Sequence, residues 1–216
     1  MRSFILAATA LAALATAPAA AAQGDWLVRL RGIVIDPQSS SGPVLPTFPA
    51  GGVSVNTVVV PELDFTYMAT NNIGFELILA TSKNNISGTG SLEPVGTLAT
   101  TWVLPPTLTA QYHFAPAAKV RPYVGVGLNW TIYYSSGASD ELVSAVGATN
   151  VDLSNSVGVA LQGGIDIDIS PKVFLNFDIK YITMGTNATL TTGTLVNTVD
   201  VDINPLVFGF GIGTRF

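Results

Sequence analysis

Apolar and polar residues alternate along most of the chain, in segments rich in Val, Ile, Thr, Phe and Tyr. A period of two is typical of β-strands that have one apolar face and one polar face. Clusters of Gly, Pro, Asn and Ser separate these segments. Eight segments show the pattern, at residues 26–36, 55–68, 73–82, 103–114, 121–133, 156–169, 173–183 and 199–216. The pattern predicts an all-β protein of eight strands.

The connections between these segments alternate between short and long. The short turns are 70–72, 115–120 and 170–172, and the long connections are 37–54, 83–102, 134–155 and 184–198. Bacterial outer-membrane barrels have an even number of antiparallel strands, short periplasmic turns and longer external loops. The sequence therefore predicts an eight-stranded antiparallel transmembrane β-barrel with both termini on the periplasmic side.

Eleven ionisable residues of the segments share one face, and none of these eleven falls on the opposite, apolar face. We expect the apolar face to contact lipid and the polar face to line the lumen. The predicted lumen residues are Arg29, Arg31, Glu62, Asp64, Glu76, His113, Arg121, Asp166, Asp168, Asp178, Lys180 and Arg215. Without His113 they comprise 6 acids and 5 bases, a balance that suits mutual pairing in a narrow space. A soluble β-sandwich would show the same alternation with its charged face outward.

Two acidic residues near the end of the chain do not fit this assignment. Asp200 and Asp202 have the parity of the apolar residues that follow them. We expect a β-bulge at Asn204 and Pro205 to shift the parity there.

Residues 1–22 have the features of a cleaved secretory signal. Met1 and Arg2 precede an apolar run, and Ala20 to Ala22 supply the small residues of a cleavage site. The run is shorter than the roughly 20 residues that a membrane helix needs. The prediction is a signal peptide at 1–22 and one barrel domain at 23–216.

Composition removes several functional classes. The chain has no cysteine, so disulfides and thiolate metal sites are excluded. Without Arg2, 8 basic residues face 14 acidic ones, so no basic surface favours nucleic acid. We expect no cofactor and no metal.

Three stretches resemble the OmpW family of small outer-membrane barrels, which includes AlkL-type hydrocarbon-uptake proteins. They are 104–114 (LPPTLTAQYHF), 121–130 (RPYVGVGLNW) and the ending 204–216. The resemblance implies an eight-stranded barrel with a hydrophobic lumen, a location in the bacterial outer membrane, passage of small apolar molecules and no catalytic residues. The terminal Phe216 is similar to the assembly signal of such barrels. The family commonly has Trp where this chain has Leu206.

His113 is the single histidine, so any histidine-dependent catalysis requires it. Its place beside a short turn puts it at the periplasmic end, away from the external loops. A packed or hydrogen-bonded structural histidine is therefore the favoured interpretation, and a lipid-modifying enzyme is the weaker alternative.

The long connections contain more apolar residues than solvated loops need, namely Val44, Leu45, Phe48, Val95, Leu98, Leu142, Val143, Val146, Leu195 and Val196. They form either a hydrophobic funnel or a packed cap over the barrel. Ser139 is placed to cap a short helix that runs to Val146.

Pro105 and Pro106 lie within a predicted strand. Because proline lacks the backbone N–H, two adjacent prolines open the hydrogen-bond ladder locally. They predict a lateral seam toward the external half of the membrane, through which an apolar solute leaves sideways; a kink that only fits the barrel's curvature is the alternative.

The functional expectation is a passive route for small hydrophobic molecules. A structural or adhesive envelope barrel without transport is the second hypothesis. The expected partners are outer-membrane lipid, small hydrophobic solutes and the barrel-assembly machinery, with no nucleic acid.

Overall fold

The computed structural model describes residues 22–216. The predicted signal peptide, apart from Ala22, lies outside the described residues. The elements are β1 (Trp26–Asp36), β2 (Ser40–Ser41), β3 (Gly51–Val55), β4 (Val58–Met68), β5 (Ile73–Ala80), β6 (Ser82–Gly90), a 3-10 helix (Glu93–Val95), β7 (Thr97–Leu104), β8 (Thr107–His113), β9 (Val120–Ala138), α1 (Asp140–Val146), β10 (Thr149–Leu153), β11 (Ser156–Asp168), β12 (Val173–Ile182), β13 (Gly185–Thr192), β14 (Leu195–Asp202) and β15 (Leu206–Arg215). Within this part of the chain, no helix has the length and apolar character needed to cross a membrane.

Eight of the strands close into an antiparallel barrel. The sheet runs β11, β12, β15, β1, β4, β5, β8, β9, and β9 pairs again with β11. The first and last strands meet along ten register pairs, from Leu27 with Arg215 to Asp36 with Leu206. Closure leaves no free edge in the lower wall, as a spanning sheet requires. The predicted eight-stranded antiparallel barrel is confirmed.

The long connections are largely strands rather than loops. β7 pairs with the upper part of β9, β6 pairs with β7 and β3 pairs with β6, so these three strands extend the wall. β10, β13, β14 and β2 form a second sheet beside it. These segments are rich in Ser, Thr, Gly and Asn, and their outward residues do not face lipid. The lipid-facing pattern of alternation therefore ends where they begin, which is why the sequence indicated loops.

The outer wall is apolar and has aromatic residues at both ends. Trp26 and Tyr67 contact each other near the termini, with ring centroids 5.2 Å apart. Trp102 and Tyr134 stack at 6.2 Å on the external side, where Lys83 is the register partner of Trp102. Aromatic girdles at two levels are typical of outer-membrane barrels.

Between the girdles, the exposed side chains are those that the alternation assigned to lipid. Leu77, for example, is 40% exposed and lies opposite Phe65 and Leu108 on the neighbouring strands. These positions have no protein partner on their outer side, so lipid tails cover them.

We expect Leu77→Arg to impair assembly, because an arginine near the bilayer midplane costs about 2 to 4 kcal/mol. Heat-modifiable mobility in gel electrophoresis measures the folded fraction. The control is Asp140→Lys, which changes an exposed residue in α1. Normal yield of folded Leu77→Arg protein would show that the two faces of the wall had been assigned the wrong way round.

Candidate functional site

The lower barrel contains a cluster of buried ionisable groups. The structure places every predicted lumen residue inside it, each between 0% and 6% exposed. They are Arg29, Arg31, Glu62, Asp64, Glu76, His113, Arg121, Asp166, Asp168, Asp178, Lys180 and Arg215. We call this cluster the plug. Side chains of such size and charge remain buried only when each charge has partners.

Arg29 joins three sides of the barrel. Its Nη1 donates to Asp64 at 3.1 Å, to Glu76 at 3.3 Å and to the Thr66 hydroxyl at 2.8 Å. Its Nη2 donates to Asp166 at 3.0 Å. These partners come from β4, β5 and β11, so one guanidinium connects strands that are not neighbours in the wall.

Arg31 repeats this arrangement one level higher. Its Nε lies 2.8 Å from Glu62, and its Nη2 lies 2.8 Å from Asp64. Lys180 donates to Glu62 at 3.0 Å and to Asp178 at 2.5 Å. Glu62 therefore joins two bases, and Lys180 and Glu62 form the upper limit of the plug.

Three guanidinium groups surround the ring of Phe174 near the periplasmic end. Those of Arg121, Arg29 and Arg215 lie 5.2, 5.5 and 6.0 Å from its centroid. Arg121 and Arg215 both pair with Asp168. The aromatic face stabilises the cations and spaces them apart.

His113 packs inside the plug. Its ring stacks on Tyr123 with centroids 5.2 Å apart, and Nε2 lies 3.1 Å from Gln111 Oε1. The Tyr123 hydroxyl donates to Asp178 at 3.2 Å. These contacts are those of a packed histidine.

Inward glycines make room for the plug's aromatic rings. A Cβ on Gly213 would lie 2.4 Å from the ring of Phe174, and one on Gly164 would lie 2.3 Å from the Tyr123 hydroxyl oxygen. Both distances are shorter than van der Waals contact, so larger residues are excluded there. The lower barrel is filled by side chains.

Above the plug, the interior changes from charged to apolar. On β14, Val199 and Val201 point inward, while Asp200 and Asp202 are exposed. Odd-numbered residues remain inward through β15, so side-chain facing continues across the break at 203–205. The expected parity shift at Asn204 and Pro205 is wrong. Asp200 and Asp202 face outward because this part of the wall lies above the apolar band.

Two adjoining cavities occupy this apolar interior. The lower cavity, of about 50 Å³, has Glu62 and Lys180 among its lining residues and otherwise mainly aliphatic side chains such as Ile33, Ile78 and Ile182. The upper cavity, of about 40 Å³, lies between the two external sheets. Val55, Asn84, Val103 and Ile203 line both cavities. Together they form an apolar chamber whose floor is the plug.

The β5–β8 side of the wall is interrupted beside Pro105 and Pro106. The ladder there stops at the pair Ile78–Thr107 and resumes between β6 and β7 at Ser82–Val103. Pro105 also lines the lower cavity. The predicted seam residues therefore lie where the chamber reaches an unpaired part of the wall.

The external end is partly a packed cap. Val44, Leu98 and Leu142 are buried, whereas Leu45 and Val196 are exposed. Helix α1 begins as predicted, since the Ser139 hydroxyl accepts from the Leu142 N–H at 3.0 Å. Some apolar residues of the long connections thus pack inside the cap, and others lie on its surface.

The lumen residues predicted from the sequence did not include the neutral members of the interior. Tyr123 and Phe174 lie on the charged face. The alternation assigns large aromatic residues to the apolar face, so these two residues are exceptions to the pattern. Gln111, Asn176 and Gln162 complete the plug through hydrogen bonds to Glu76, Asp166 and Asp178. Their inward parity was the available signal.

Two further features bear on the predicted sites. Phe216 is 70% exposed on the outer wall, and its backbone N–H donates to Trp26 O at 3.0 Å. Within residues 22–216, no group of three or more His, Cys, Asp or Glu side chains is placed to hold a metal ion.

We expect Arg29→Met to reduce the free energy of unfolding by about 3 to 5 kcal/mol, because it leaves buried carboxylates without their partner. Urea unfolding in phospholipid vesicles measures this change. Lys83→Met removes an exposed base and should change stability by no more than about 0.5 kcal/mol. Equal effects of the two substitutions would contradict the role of the plug.

Known proteins resemble the chain over its whole length. Outer membrane protein W of Salmonella typhimurium is 36% identical over 218 residues, covering 100% of both chains. Outer membrane protein AlkL of Ectopseudomonas oleovorans is 24% identical over 224 residues, covering 99% of this chain and 93% of AlkL. The crystal structure of the outer membrane protein OprG from Pseudomonas aeruginosa is similar with a TM-score of 0.85 at 26% identity, over 91% of this chain and 98% of OprG.

The family model for the OmpW family matches residues 22–216. This match agrees with the closed barrel, its apolar outer wall and the resemblance in the three sequence stretches. The chain belongs to the OmpW family of bacterial outer-membrane β-barrels.

Proposed function

We propose that this barrel is a passive route for small hydrophobic molecules, which enter the chamber from the external side and leave sideways beside Pro105 and Pro106. The observation that carries the proposal is an apolar chamber that ends on a closed, charged plug. A solute in the chamber has aliphatic walls around it and paired charges beneath it.

The chamber favours apolar solutes for a simple energetic reason. Transfer of apolar surface out of water is worth about 25 cal/mol per Å², whereas a polar group loses its hydrogen bonds to water on entering an apolar cavity. The chamber therefore rejects sugars and ions and accepts hydrocarbons. The resemblance to AlkL-type hydrocarbon-uptake proteins supports the same substrate class.

The plug disfavours a straight path to the periplasm. To pass it, an apolar solute would have to separate ion pairs such as that of Lys180 with Glu62, and it would offer the separated charges no new partner. The seam needs no such separation, because the ladder there is already interrupted. Release into the bilayer is therefore the less costly path.

The proposed activity needs no catalytic group, cofactor or metal, since diffusion transfers no proton and forms no bond. The proposed partners are the solutes, outer-membrane lipid around the apolar wall, and the barrel-assembly machinery, which would recognise the end at Phe216. Nucleic acid is not among them.

A structural envelope barrel without transport is the second candidate. The filled plug and the packed cap around Leu98 and Leu142 favour it, because a barrel with a filled interior needs no solute.

Solute uptake separates the two candidates. Cells with the full chain should take up dodecane faster than cells without it, while uptake of a polar solute such as glucose is unchanged. Ala188→Phe fills the upper cavity and should reduce dodecane uptake; Ala117→Phe, in an exposed periplasmic turn, should not. Equal dodecane uptake with and without the protein favours the structural candidate.

The lateral route has a test of its own. Replacing Pro105 and Pro106 with Thr restores two N–H donors, so thermal stability should stay the same or rise, and dodecane uptake should fall. Pro61→Thr, on the lipid-facing wall of β4, is the control and should leave uptake unchanged. Undiminished uptake by the folded double variant would favour passage through the lumen.

A further inference from the structure

Asn84 lies at the junction of the two cavities. It is on β6, points inward and is 5% exposed. With Val55, Val103 and Ile203 it lines both the lower and the upper cavity. A solute that moves between the cavities therefore passes its amide group.

The hydrogen-bond donors of this amide are largely unused. Asn84 Oδ1 accepts from the Ser82 hydroxyl at 2.7 Å. Nδ2, which carries two N–H groups, donates to the backbone oxygen of Asn56 at 3.5 Å. An ordinary N–H···O bond measures about 2.7 to 3.2 Å. A buried donor of this kind favours any acceptor that reaches it.

The other polar side chains of the two cavities have shorter bonds. Thr101 pairs with Ser136 at 2.8 Å, Tyr133 donates to Gly185 O at 3.0 Å, Thr186 donates to Ser154 O at 2.9 Å, Thr107 donates to Pro105 O at 3.0 Å, and Lys180 donates to Glu62 and Asp178. Among the described residues that line both cavities, Asn84 is thus the side chain with a donor available to a solute.

We infer that Asn84 makes the chamber selective for uncharged amphipathic solutes that carry one oxygen acceptor, such as medium-chain ketones and esters, over alkanes of the same length. This inference rests on the proposed function. The aliphatic walls hold the chain of the solute, and the amide donates to its oxygen. An alkane offers the amide no acceptor at the junction and leaves it with the long bond to Asn56. A charged head group is disfavoured because it would leave water for apolar walls.

The test compares initial uptake of dodecan-2-one and dodecane, at concentrations below saturation, by cells that produce the full chain. Asn84→Leu removes the donor and keeps the number and branching of the side-chain heavy atoms. A neutral hydrogen bond contributes a factor of about 2 to 10, so the ratio of ketone to alkane uptake should fall by that factor. Val103→Leu changes the same junction without changing a donor, and its ratio should equal that of the unaltered chain.

Assembly is checked by heat-modifiable gel mobility, and Asn84→Val replaces Asn84→Leu if the latter does not fold. An unchanged ratio in the folded variant, with both solutes still taken up, contradicts the role of Asn84 alone. Failure of the unaltered chain to take up either solute contradicts the proposed function itself, and this inference with it.

Discussion

The pairing of charges inside a closed ring is the constraint on which the rest of this structure depends. The ring of eight strands leaves little space for water around its inward side chains, so each ionisable group must find its partners among the others. Arg29 meets this requirement by contacting β4, β5 and β11 at once. The ion pairs of the plug therefore connect strands across the barrel, and its packed side chains close the lower lumen.

The same strands carry a second interior of opposite character. On β1, Arg31 is followed on the inward face by Ile33, and on β12, Lys180 is followed by Ile182. On these two strands the change from a charged to an aliphatic side chain occurs from one inward residue to the next, so the plug forms the floor of the apolar interior. Outside, polarity changes in the opposite sense, because the wall leaves the apolar band and its outward residues meet water. The same alternation of inward and outward residues thus continues from the membrane into the external part of the wall, while the polarity of each face changes.

This reversal explains what the sequence predicted well and what it did not. The alternation predicts the membrane strands and the inward position of Arg29 and Lys180, because the face toward lipid must be uninterruptedly apolar. The external strands were assigned to loops because Ser, Thr and Gly weaken the same signal in water. Asp200 and Asp202 depart from the prediction for a related reason: a charged residue indicates an inward position only inside the membrane.

The sequence could not predict which side chains pair across the barrel. Arg29 and Asp166 are 137 positions apart, and no spacing along the chain reports a contact between strands that lie on opposite sides of a closed ring. The inward aromatic Phe174 interrupts the polar face and looks like an exception to the alternation. Its meaning depends on the three guanidinium groups around it, which only the closed barrel brings together.

The two prolines affect one side of their strand more than the other. Toward β9, the wall stays bonded, because the Trp130 N–H donates to Pro106 O at 3.0 Å and Asn129 Nδ2 donates to Pro105 O at 3.1 Å. Toward β5, the prolines have no N–H to offer, and the Thr81 hydroxyl, which donates to Val103 O at 3.2 Å, provides a side-chain bond across the gap. In the proposed lateral route, a weak point confined to one side would let the wall part without loss of closure elsewhere. The ion pairs of the plug connect the strands below this level, so the proposed opening would not spread to the lower wall.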